Sequence, residues 1–126
     1  MIVLDTHVLI WLNDDAGRLS SAAREAIRHE EELGVSAISL WEVSMLYQYG
    51  RIELGLPLET WLEKACCQPK IRILPISVTI AANTARLEMH GDPADRLIVA
   101  SALVHKCALV TRDENIQNAK IVMTIW

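Results

Sequence analysis

Four acids stand at positions from which carboxylates can act together: Asp5, Glu42, Asp95 and Asp113. Each has an ordinary explanation by itself. Asp5 can cap a helix, Glu42 can close a capping box, Asp95 can sit in the first turn of a helix, and Asp113 can end a strand in a turn. Brought within a few ångströms, however, each pair of carboxylates costs on the order of a few kcal/mol at intermediate dielectric unless protons or cations intervene. A divalent cation removes that conflict. An all-oxygen ligand set favours Mg²⁺ or Mn²⁺ over zinc, and an ion held by few carboxylates keeps some of its waters. One or two such ions can clamp a phosphate and activate water for in-line displacement, the chemistry of phosphodiester hydrolysis.

The elements that position these acids follow from the apolar pattern. Ile2-Val3-Leu4 is an apolar run without polar alternation, which suits a strand buried on both faces of a parallel sheet. Asp5 ends it, and Val8, Leu9, Trp11 and Leu12 continue at helical spacing, so a helix starts there. Asn13 to Gly17 reads as a polar turn, and Ser20 or Ser21 opens a helix over 22–33 that stops at Gly34. The second strand is expected over 35–38. Ser39-Leu40-Trp41-Glu42 matches a capping box, so the next helix is expected to begin at Ser39 and run to Gly50, with a shorter one over 58–67. A third strand is expected over 71–76 and helical composition over 77–89. Asp92-Pro93-Ala94-Asp95 then gives a capping acid, proline at the first helical position and an acid at the third, ahead of an apolar helix to Val104. Strands over 107–110 and 121–125 complete the pattern, with Thr111-Arg112-Asp113-Glu114-Asn115 between them.

Alternating strands and helices imply an α/β fold with a mainly parallel central sheet of four to five short strands, flanked by helices, and right-handed crossovers. In such a sheet every strand ends at one edge. Asp5 and Asp113 follow strands directly, Glu42 opens the helix after the second strand, and Asp95 opens a helix that runs antiparallel to the strand it feeds. All four therefore belong at the carboxyl edge, where ligands bind in open α/β sheets.

Composition narrows the classes. The chain has 126 residues, 52% hydrophobic and 22% charged, and is expected to form one domain over 1–126. A mean hydropathy of +0.22 suggests more apolar surface than one small monomer covers, so self-association as a homodimer or a protein partner is expected. A net charge of −4 argues against binding nucleic acid by bulk electrostatics alone, though a local acid cluster lowers the total while basic residues still line its rim. The cysteines, two of them adjacent at Cys66 and Cys67, form neither a disulfide framework nor a zinc pair, which suits a cytoplasmic protein. No targeting segment or membrane span is expected.

The segments Val3-Leu4-Asp5-Thr6-His7, Ser39-Leu40-Trp41-Glu42-Val43, Asp92 to Ala100 and Leu109-Val110-Thr111-Arg112-Asp113 together resemble the PIN-domain ribonucleases, specifically toxins of the VapC type. That resemblance spans almost the whole chain. It implies a PIN-like three-layer fold and a metal-dependent endoribonuclease acting on an RNA substrate and held inactive by a cognate antitoxin. Carried over residue by residue, it makes Asp5, Glu42, Asp95 and Asp113 the catalytic acids, Asp5, Asp95 and Asp113 the metal ligands, and Thr6, Thr111 and Asn115 their support. Asp92 is an alternative acid one turn away from Asp95; here Asp95 is assigned to the site and Asp92 to the cap.

Arg96 and Arg112 flank two of these acids and are candidates for holding phosphates. A two-histidine mechanism is disfavoured, because no expected element pairs His7, His29, His90 or His105. The antitoxin is expected to lie near Trp11, Tyr47 and Trp61 and to reach the acids with a basic side chain. Two other classes compete: a catalytically degenerate PIN-fold binding module, disfavoured because all four acids are present, and another magnesium-dependent α/β phosphohydrolase or phosphoacceptor switch, disfavoured because the first strand ends in a single aspartate.

Overall fold

Short apolar runs become strands here because helices cover both of their faces. The computed structural model describes residues 1–126. Its strands are Ile2–Leu4 (β1), Leu33–Ser36 (β2), Ile71–Leu74 (β3), Leu109–Val110 (β4) and Thr124–Ile125 (β5). They form one sheet in the order β3-β2-β1-β4-β5, with every neighbouring pair parallel. The helices are Thr6–Asp14 (α1), Ser21–His29 (α2), Ala37–Gln48 (α3), Leu58–Cys66 (α4), Val78–Thr84 (α5), Pro93–Val104 (α6) and Glu114–Ala119 (α7), with a 3₁₀ turn at Ala16–Arg18.

Alternation along the strands builds a core on each face of the sheet. Ile2, Leu4, Leu33, Val35 and Val110 meet α1, α2 and α4, while Val3, Leu74 and Leu109 meet α5, α6 and α7. Helix α3 bridges the two layers: Val43 and Leu46 belong to the first core, and Ile38 packs on the second. The result is the three-layer α/β architecture expected from the sequence.

Strand order sets the position of the cleft. From β1 the chain winds outward through β2 to β3, then crosses to β4 on the other side of β1. The winding therefore reverses between β1 and β4, and a crevice opens beyond their carboxyl ends. Leu4 pairs with Val110, so the next residues, Asp5 and Thr111, emerge side by side at its base.

Several boundaries differ from the sequence reading. Helix α2 stops at His29, and Leu33 and Gly34 belong to β2. Gly34 serves close packing and terminates no helix: a Cβ there would lie 2.9 Å from Leu74 Cδ1 and 3.2 Å from Met1 Sδ. Because β2 begins early, α3 begins early as well. Ser36, rather than Ser39, is its cap, its Oγ accepting from the Ile38 amide at 3.3 Å. The segment after Thr84 is not helical, and α7 and the 3₁₀ turn had no counterpart in the reading. The third, fourth and fifth strands are also shorter than expected.

Candidate active site

Asp5 is buried where β1 passes into α1. Its Oδ1 accepts from the Thr6 amide at 2.8 Å and its Oδ2 from the Thr111 hydroxyl at 2.6 Å. Burial pushes its pKa up, and those two donors oppose the shift. The Thr111 oxygen also accepts from the Asp113 amide at 3.0 Å, while Asp113 Oδ1 caps α7 through the Ile116 amide at 3.0 Å. One threonine thus ties the ends of β1 and β4 together. Thr6 is buried as well, its hydroxyl 3.0 Å from Ser39 Oγ, linking α1 to α3.

Glu42 does not close a capping box. Since α3 starts at Ala37, Glu42 lies in its second turn, and its carboxyl lines the cleft. Burial, against the Thr6 hydroxyl and reinforced by the charges of Asp5, Asp95 and Asp92, raises its pKa to about 7. Asp95, in the first turn of α6, is raised to about 6, chiefly by burial, with His90 opposing and Asp5, Asp92 and Asp113 adding repulsion. Asp92 caps α6, its Oδ1 accepting from the Asp95 amide at 2.9 Å.

Asp5, Glu42, Asp92, Asp95 and Asp113 all line one cleft of about 480 Å³. Glu42, Asp92 and Asp95 offer oxygens lying within 4.8 Å of one another. Asp92 and Asp95, treated as alternatives in the sequence reading, are therefore both at the cleft. The donor set is all oxygen, two of its members, Glu42 and Asp95, have pKa values raised to about 7 and about 6, and these features fit a hard divalent cation.

The same cleft is also lined by His7, Trp11, Arg51 and Arg112. Arg112 lies with Cζ 5.9 Å from the Trp11 ring, and the His7 ring lies 5.7 Å from it. Arg51 is delivered by the end of α3, where Gly50 adopts φ +67° and the Arg51 amide bonds to the Leu46 carbonyl. That is a helix stop which only glycine adopts without strain.

Three expected roles need correction. Arg96 holds no phosphate site in the cleft: its guanidinium donates to the carbonyls of Thr84, Leu87, Met89 and His90. Asn115 is exposed on α7 and lines no part of the cleft; Gln117 instead donates to the Thr111 carbonyl at 3.0 Å. Trp11 and Trp61 are 8% and 2% exposed, so neither offers a docking face, whereas Trp41 is 53% and Tyr47 45% exposed. Trp61 is fixed by its indole N–H bonding to Asp14.

Sequence reasoning missed His90, whose Nε2 lies 2.7 Å from Asp95 Oδ2, as well as His7 and Arg51. Only Arg51 carried a usable signal, the glycine that ends α3 directly before it.

Known proteins share this fold. The PIN domain family matches residues 2–122. The chain is 38% identical to Ribonuclease VapC22 of Mycobacterium tuberculosis over 129 residues, covering 99% of this chain and 98% of that protein. VapBC2 from Rickettsia felis, crystallised bound to a DNA fragment from their promoter, aligns with a TM-score of 0.71 at 15% identity, covering 98% of this chain and 97% of that one. FitAcB from Neisseria gonorrhoeae aligns with a TM-score of 0.66 at 25% identity, covering 98% and 96%.

Proposed function

The chain belongs to the PIN-domain family, and from that premise we propose that it is a metal-dependent endoribonuclease, the toxin of a toxin–antitoxin pair. The observation that carries this reading is the convergence of five carboxylates in one cleft at the switch point of the sheet. Likeness to a named ribonuclease over nearly the full length supports RNA as the substrate.

Asp5, Glu42, Asp95 and Asp113, with Asp92 beside them, would hold one or two Mg²⁺ or Mn²⁺ ions. A bound divalent cation supplies charge neutralisation at the scissile phosphate and lowers the pKa of a water it binds. Asp5, whose oxygens each accept one hydrogen bond, from Thr6 and from Thr111, and keep a further lone pair, is the fixed member of the set. Glu42, in the second turn of α3 with its carboxyl lining the cleft, is placed to take a proton from the attacking water. Arg51 and Arg112, which line the same cleft, would receive the flanking phosphates.

The antitoxin would lay an apolar segment along α3, where Trp41 and Tyr47 are exposed, and pass a basic side chain into the cleft. Exposed apolar side chains elsewhere, Val78 and Met123 among them, suit a homodimer. No helix is long and apolar enough to cross a membrane, and all three cysteines are free, which fits a cytoplasmic protein acting as one unit over residues 1–126.

Protein freed of any antitoxin should cleave RNA with Mg²⁺ or Mn²⁺, stop with EDTA, and leave 5′-phosphate and 3′-hydroxyl ends. Cyclic-phosphate products formed in EDTA would overturn the reading.

A further inference from the structure

The stretch from Ala85 to Asp92 has no helix or strand of its own, yet it delivers one imidazole to the acid cluster. His90 Nε2 lies 2.7 Å from Asp95 Oδ2, with the two side chains only 31% and 17% exposed. An ionised Asp95 can only accept, so the proton of that bond belongs to Nε2. The other Asp95 oxygen has no hydrogen-bond partner within the protein and is not sealed from solvent.

What holds His90 in place is the residue next to Asp95. Arg96 Nη1 donates to the carbonyls of Met89 at 3.0 Å and His90 at 3.4 Å, and Nη2 donates to that of Leu87 at 3.2 Å and to that of Thr84. The circuit is closed. The first turn of α6 grips the backbone of the connector through Arg96, and the connector returns the His90 side chain to the same turn at Asp95. Asp92 fixes the third side by accepting from the Asp95 amide. An aspartate held only at its backbone samples several side-chain rotamers; one held by a fixed imidazole keeps a single oxygen turned to the cleft.

On the metal-site reading given above, we propose that His90 is a positioning residue, which holds Asp95 through Oδ2 so that its free oxygen is set for the cation, and that Arg96 serves this by fixing the connector. His90 is not itself one of the ligands grouped in the cleft, which are Glu42, Asp92 and Asp95. Its contribution therefore lies in orientation, as hydrogen-bonded partners of metal ligands do elsewhere.

The test is Mn²⁺ binding by calorimetry in the absence of RNA, on the full chain and on His90→Ala, His90→Gln and His90→Asn, with melting in EDTA as the measure of fold. The Gln amide nitrogen falls close to the position of Nε2, whereas that of Asn stops near Nδ1. His90→Ala and His90→Asn should bind Mn²⁺ about 10- to 100-fold more weakly, His90→Gln should recover most of the loss, and all three should melt in EDTA close to the unaltered protein. Unchanged affinity in His90→Ala overturns the proposal while leaving the metal site standing. Tighter binding in His90→Ala overturns it too, since His90 would then compete with the cation. Equal losses in the Gln and Ala variants would show that the hydrogen bond is not the means. No Mn²⁺ binding by the unaltered protein would sink the metal-site reading itself, and the role of His90 with it.

Discussion

Asp5 and Asp95 both stand at the start of a helix facing the same cleft, and the fold treats them differently. Asp5 is buried, with each oxygen already engaged by a donor from the scaffold, one from the Thr6 amide and one from the Thr111 hydroxyl. Asp95 is half-buried, with one oxygen held by His90 and the other without a protein partner. The donors around Asp5 come from the ends of two paired strands, so they are part of what closes the sheet. The donor to Asp95 comes from an irregular connector. A carboxylate of the first kind is structural as well as functional. One of the second kind is a charge that the metal-free fold tolerates at a cost.

The largest effect in free energy should come from the Asp5 side. Thr111→Val keeps the shape of a fully buried side chain but removes the donor to Asp5 and the acceptor for the Asp113 amide. A lost hydrogen bond to a charged group, together with an unsatisfied amide, should destabilise the protein by about 2–3 kcal/mol at neutral pH. His90→Ala, the corresponding change beside Asp95, should cost below ~1 kcal/mol because both partners reach solvent. Urea unfolding of both variants in EDTA measures the contrast. If Thr111→Val unfolded with the parent, the distinction between the two aspartates would be lost.

A smaller effect follows from pH. In the folded chain Glu42 keeps its proton to about pH 7 and Asp95 to about 6, against ordinary values of 4.5 and 3.8. Between those values the folded state binds more protons than the unfolded state, so stability falls as pH rises. In EDTA the protein should be most stable below about pH 3.8 with respect to these groups and lose about 1–2 kcal/mol by pH 7, after allowance for solvent screening. Asp5, also raised, contributes with the same sign. Because those protons must leave when a cation binds, Mn²⁺ affinity should rise over the same window. A flat urea midpoint from pH 4.5 to 7 in EDTA would show that the cluster is not strained.

Much of this was legible in the chain, for a physical reason. Ile2-Val3-Leu4 running into Asp5, and Leu109-Val110 running into Thr111, are strands whose ends are marked by their first polar residue, and parallel pairing brings such ends together. Asp92-Pro93-Ala94-Asp95 carried its own helix start. The capping box at Ser39 misled because its spacing was right while the strand before it ended sooner. Gly34 resembles a helix stop in sequence, but in the sheet it is the residue small enough to lie between Leu74 and Val3. Arg96 adjoins Asp95 in sequence, yet successive helical side chains diverge by roughly 100°, so one faces the cleft and the other the connector. His90 could not be read at all. Its place depends on the path of an irregular segment that Arg96 and the burial of Leu87 fix.

The finest contrast is between the two acids of a single helix turn. Asp95→Asn keeps the shape and removes one charge from a cluster whose members raise one another's pKa values, so the metal-free protein should become more stable by up to ~1 kcal/mol at pH 7. It should also lose part of its slope against pH, since one of the protons responsible is gone. Asp92 is exposed, and its Oδ1 caps α6. Asn caps about as well as Asp, so Asp92→Asn should move stability by no more than a few tenths of a kcal/mol. Function should separate the pair differently. Both residues offer an oxygen to the group with Glu42, but only Asp95 is held by a second side chain. Asp95→Asn should therefore abolish RNA cleavage, and Asp92→Asn should weaken Mn²⁺ binding while retaining cleavage at higher Mn²⁺. Melting both variants in EDTA and assaying both across a Mn²⁺ series decides it. A dead, stabilised Asp92→Asn beside an active Asp95→Asn would move the working acid one turn along the chain and make His90 the partner of a bystander.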